Sequence, residues 1–136
     1  MVNKKILIDS CVWIAFYDKN DRQHEKAVEY FEKNKEKQFL YVIHFLVLIE
    51  TLSILKYKKF DPEILKEIRR HASGTEEIEI VKRGEINLSP KMWGLFETVN
   101  RLGVVDVILL DYCLKNNMEI VTFDVALNEL WKKLVF

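Results

Sequence analysis

Short apolar runs that read as strands alternate with helical stretches along nearly the whole chain. Residues 4–9, 38–43, 76–82 and 118–124 carry the strand-like runs, and amphipathic or apolar segments of helical length separate them. That grammar specifies α/β architecture with a mainly parallel central sheet and helices on both faces, a three-layer α/β/α domain. Parallel strands are covered on both sides, so "KILI" and "FLYVI" read as continuous apolar runs and not as alternating ones. In such sheets ligands bind outside the carboxyl ends of the strands. With 136 residues, half of them hydrophobic and few Gly or Pro, the chain is expected to form one domain over residues 1–136.

The helices carry their own punctuation. Asp21 is placed to cap "RQHEKAVEYFEKNKEK". Asp61 and Pro62 open "EILKEIRRHAS", and Gly74 is placed to stop it. Ser89-Pro90 opens a helix that Gly103 is expected to end, and Asn116-Asn117 ends the next. The final "LVF" reads as an edge strand.

Against this apolar background four acids stand out. Asp9 and Asp124 each end a strand-like run. Glu50 lies inside "FLVLIETLSIL" and Asp106 inside "GVVDVILL", where carboxylates are rare unless paired or bound to metal. A single Asp at a strand end is equally a helix cap, and Glu50 alone could be an ion-paired core residue. Together, two strand ends and two helix starts can bring all four acids to one edge. Two carboxylates about 5 Å apart repel by about 3 kcal/mol at an effective dielectric near 20. Such a cluster makes sense if a divalent cation neutralises it or if some acids hold a proton. Oxygen donors suit Mg²⁺ or Mn²⁺. Asp111 lies five residues beyond Asp106, turned by about 140° around the helix, and is expected to face elsewhere.

Other residue classes restrict the reading. Cys11 and Cys113 form no CxxC and lie in apolar runs, as small buried hydrophobes of a reducing, cytoplasmic protein. His24, His44 and His71 match no zinc spacing. The start lacks the apolar core of a signal peptide, and no run approaches the length of a membrane span. Net charge is zero, so a nucleic-acid partner is neither suggested nor excluded. The basic pieces at 56–59, 69–71, 82–83 and 132–133 read first as solvated surface, and Trp13, Phe16, Trp93, Phe96 and Trp131 as packing residues.

"LIDSCVWIAFY", "DRQHEKAVEYF", "VLIETLSIL" and "GVVDVILLDYCLKNNMEIVTFD", in that order, resemble a PIN domain of the VapC toxin type. The resemblance covers nearly the whole chain. It implies a metal-dependent ribonuclease in which Asp9, Glu50, Asp106 and Asp124 bind Mg²⁺ or Mn²⁺, while Ser10 and Thr122 supply supporting hydroxyls. It further implies water attack on an RNA phosphodiester to leave a 5′-phosphate and a 3′-hydroxyl, a homodimer, and a small antitoxin as partner. A stand-alone RNA-processing nuclease would look the same, and so would a PIN-like module that binds RNA or protein without turnover. The chain departs from the pattern at His44, where a small hydroxyl residue is common, and after Asp124, where Asn128 stands in place of a further acid. A phosphatase of the haloacid-dehalogenase type would need Asp-x-Asp-x-Thr where this chain has Asp9-Ser10-Cys11-Val12-Trp13, and a receiver domain would need a late-strand lysine that is missing here.

Overall fold

The structure, a computed structural model, describes residues 4–71, 75, 77–82 and 87–135. Four strands, β1 (Lys5–Ile8), β2 (Leu40–His44), β3 (Ile78–Val81) and β4 (Glu119–Val121), form one sheet in the order β3-β2-β1-β4. Every pairing is parallel, with Leu7 opposite Val42 on one side and Ile120 on the other. Central β1 is buried on both faces: Ile6, Leu7 and Ile8 are at most 2% exposed. That explains why its sequence shows no alternation.

Helices fill the connections: α1 (Ser10–Tyr17), α2 (His24–Asn34), α3 (Phe45–Tyr57), α4 (Pro62–His71), α5 (Pro90–Thr98), α6 (Val104–Lys115) and α7 (Val125–Val135). The chain steps from β1 to β2 to β3 in one direction, then reverses to place β4 on the far side of β1. Right-handed crossovers therefore put α1–α4 on one face and α5–α6 on the other. The packing agrees, since α1 lies against α2 and α3, and α6 lies against α5 and α7. The reversal falls between β1 and β4, and a parallel sheet opens a crevice at the carboxyl ends of the strands where its order reverses.

Several boundaries differ from the sequence expectation. The second helix starts at His24, because Asp21 first closes a turn, accepting from the Gln23 amide on its carboxylate and from the His24 amide on its carbonyl. No edge strand forms from "LVF" among the described residues; α7 runs on through Val135, with no Gly or Pro to stop it. Helix α5 ends at Thr98, and Gly103 stands as the N-cap of α6. Gly74, Glu76, Arg83 and Phe136, parts of expected elements, lie outside the described residues.

At the opposite, amino-terminal edge of the sheet lies an aromatic cavity of about 610 Å³ lined by Trp13, Phe16, Tyr17, Phe31 and Tyr41. None of the four acids borders it.

Candidate active site

The four acids reach the β1/β4 edge from four different elements. Asp9 directly follows β1, and its amide donates to the Val121 carbonyl at 3.0 Å, extending the parallel ladder by one bond. Its side chain is the N-cap of α1, with Oδ1 accepting from the Ser10 amide at 2.8 Å. Asp124 follows β4 and caps α7, its Oδ1 accepting from the Leu127 amide at 3.0 Å. Asp106 is the third residue of α6, and its Oδ2 accepts from the Gly103 amide at 2.9 Å. Glu50 lies in the second turn of α3, half-buried. Capping and site roles thus coexist: a helix start favours the negative charge and holds the carboxylate in place.

Each aspartate has one oxygen tied to a backbone N–H at a helix start. The second oxygens of Asp106 and Asp124 have no partner among the described residues, and neither does the Glu50 carboxylate. The acids also act on one another. Burial raises the Asp106 carboxyl above the ordinary carboxylate range, the charges of Asp9, Asp124 and Glu50 raise it further, and the Gly103 N–H works the other way. The expected carboxylates are therefore brought within electrostatic reach. They are not closed around one point: among the described residues no three His, Cys, Asp or Glu groups stand together as ready ligands for one ion. As a donor set they fit a hard divalent cation, being anionic oxygens, three of the four acids having an oxygen without a partner among the described residues.

The supporting residues differ in what they contribute. The Thr122 hydroxyl donates to Asp9 Oδ2 at 2.7 Å and accepts from the Asp124 amide at 3.0 Å, so it links two of the acids. Ser10 is buried and supplies Asp9 with its amide. Cys11 is the residue that sequence reasoning missed. Its Sγ lies 3.5 Å from Asp9 Oδ2 and 3.4 Å from Thr122 Oγ1, and accepts from the Phe123 amide at 3.4 Å. Burial and then the Asp9 charge push this thiol up to about 11. An apolar run conceals such a role; the only signal was position, two residues past a strand-ending acid.

Two of the histidines make structural contacts. His44 ends β2 and caps α3, its Nδ1 accepting from the Leu46 amide at 3.2 Å; at 3% exposure, burial holds its pKa below the usual histidine value. His24 Nδ1 pairs with the Ala15 carbonyl at 2.7 Å, tying α2 to α1. Asp111 pairs with Lys115 one helical turn on, Nζ lying 2.8 Å from its Oδ2, and is not among the charges that raise Asp106.

Comparison with known proteins bears on the family and the fold. The family model of the PIN domain matches residues 6–132. No curated protein matches the chain. A crystal structure of VapC20 from Mycobacterium tuberculosis, described as a Sarcin-Ricin loop cleaving toxin, superposes with a TM-score of 0.68 at 17% identity, over 92% of this chain and 94% of that one. The fold, the order of its elements and the match over residues 6–132 together make this chain a member of the PIN domain family.

Proposed function

We propose that the chain is a metal-dependent endoribonuclease acting on single-stranded or structured RNA, and the toxin of a toxin–antitoxin pair. The observation that carries this reading is the approach of Asp9, Glu50, Asp106 and Asp124 at the β1/β4 edge, where burial and then the charges of Asp9, Asp124 and Glu50 raise the Asp106 carboxyl. Membership of the PIN domain family and the likeness in fold to a toxin described as Sarcin-Ricin loop cleaving support it.

Asp9, Glu50, Asp106 and Asp124 would hold Mg²⁺ or Mn²⁺. When bound, such an ion polarises a phosphoryl oxygen and lowers the pKa of water. The residues do the rest. Backbone N–H groups fix one oxygen of each aspartate, leaving the Asp106 and Asp124 second oxygens available. Thr122 fixes Asp9 and the Asp124 amide relative to each other, and Ser10 and Cys11 complete that brace. Asp106, whose carboxyl is raised by burial and then by like charges, is the acid whose ionisation a bound cation would favour most. The whole chain, 1–136, acts as one nuclease domain in the cytoplasm. It pairs with itself and with a small antitoxin, for which exposed Ile49, Tyr57, Trp93 and Phe96 offer apolar surface. No helix among the described residues is long and apolar enough to cross a membrane.

A second reading is a PIN-like module that binds RNA or protein without turnover. The absence of a closed group of three ligands among the described residues favours it. A labelled single-stranded RNA, incubated with Mg²⁺, Mn²⁺ or EDTA beside an Asp9→Asn variant, separates the two. Metal-dependent cleavage that vanishes in the variant supports the nuclease. RNA binding without cleavage in any lane supports the module.

A further inference from the structure

Lys26 occupies a place that stability does not explain. It is the third residue of α2, in the first turn, where the helix dipole disfavours a cation. It is exposed, and none of the ion pairs among the described residues includes it, although Glu29 lies one helical turn away. Its ammonium instead rests 4.7 Å from the centroid of the Phe123 ring. Phe123 sits between Thr122 and Asp124, and its amide is held by Cys11 Sγ. The lysine is therefore anchored at the rim of the acidic edge, on a ring whose own backbone is part of the site's brace. The other lysines found over aromatic rings, Lys4 and Lys37 on Phe39, lie 5.9 and 5.8 Å away at the far edge of the sheet, and Lys4 is also paired with Glu119.

An acidic site repels the phosphates of its own substrate. A cation held at its rim, close to the acids but not neutralised by them, offsets that repulsion. An aromatic face orients an ammonium without removing its charge. We infer that Lys26, seated on Phe123, grips an RNA phosphate flanking the one that is cut. This rests on the nuclease reading above and names a substrate contact for it. Phe123 is then a positioning residue, acting through Lys26.

The test is RNA affinity across a salt series, measured by fluorescence anisotropy in the Asp106→Asn background, together with steady-state cleavage in the parent background. Lys26→Gln is expected to weaken binding about 3–10-fold and to make the slope of log K against log salt shallower by about 0.7–1, the signature of one lost phosphate contact. In cleavage the loss should fall on KM and not on kcat. Lys26→Arg should restore most of it. Phe123→Leu should weaken binding less, and adding it to Lys26→Gln should cost nothing further. A parent that cleaves RNA with Lys26→Gln at parental affinity and salt slope overturns this inference alone. A parent that neither binds nor cleaves RNA overturns the nuclease reading and the inference with it.

Discussion

The hydroxyl of Thr122 donates to Asp9 Oδ2 at 2.7 Å, joining residues 113 apart in sequence at the ends of neighbouring strands. Asp9 is 6% exposed and Thr122 9%, so the bond is made out of water. Replacing Thr122 with Val keeps the shape and removes the hydroxyl, leaving Asp9 Oδ2 to the Cys11 thiol alone. Unfolding in urea should show a loss of roughly 1–3 kcal/mol. Metal-dependent cleavage should fall about 10–100-fold, as when an outer partner of a metal ligand is removed. Thr122→Ser should recover most of both.

Asp106 sets a pH dependence that runs opposite to the usual carboxylate. Its folded-state pKa is raised, by burial first and then by Asp9, Asp124 and Glu50. The folded protein therefore holds that proton more tightly than the unfolded chain. The associated stability is present below the unfolded value and is lost as pH rises through the folded value. At neutral pH the metal-free Asp106→Asn variant should melt about 2–5 °C above the parent, with the gap closing towards pH 4. Adding Mn²⁺ should stabilise the parent more than the variant. A variant that melts lower at pH 7 without metal would show that the acids do not repel one another as described.

Asp18 behaves in the ordinary direction. It is the C-cap of α1, and Lys58 Nζ at the end of α3 donates to its Oδ2 at 2.9 Å. That bond lowers its carboxyl below the usual range against a smaller opposing effect of burial, with help from the Asn20 amide. The stability it adds is present above the unfolded pKa and is lost as pH falls through the folded value. Lys58→Met should cost about 1–2 kcal/mol, since it strands a carboxylate that is itself 7% exposed. Lys66→Met, which breaks an exposed pair with Glu63, should cost well under about 1 kcal/mol. Chemical denaturation of both variants at pH 7 checks the contrast.

The cysteines should be slow to react. Cys11 is pushed up to about 11 by burial and the Asp9 charge, and Cys113 up to about 12 by burial. Thiolate is the reacting form. At pH 8 the folded protein should therefore consume a chromogenic disulfide reagent far more slowly than the guanidinium-unfolded chain, which should titrate two thiols. Fast labelling of one thiol in the folded state would contradict the brace around Cys11.

The sequence made the acids legible because each breaks a local rule: a carboxylate at the tip of a buried strand, or inside an apolar helix. The sheet was legible for a related reason, since the buried parallel strands β1 and β2 read as short unbroken apolar runs. Cys11 and Lys26 break no such rule. A cysteine in an apolar helix and a lysine on an amphipathic one look ordinary until β4 is laid beside β1, which brings Thr122 to one and Phe123 to the other. The misjudged boundaries have the same root. Asp21 and Gly103 are competent for two local structures each, a turn or a cap, and only the position of the neighbouring helix selects one. His44, a departure from the family pattern in sequence, has its ring turned inward because the strand runs into the helix without a loop and the first turn needed an acceptor.

The pairing of β1 with β4 carries a consequence for the order in which the molecule comes into being. β1, which leads into Asp9, is synthesised well before β4, which leads to Asp124. Until β4 docks, Asp9 lacks its Thr122 bond and α6 presents Asp106 without Asp124. A chain interrupted between α6 and β4 holds β1–β3 and α1–α6 but no complete acidic edge, so the site stays unassembled until β4 is made.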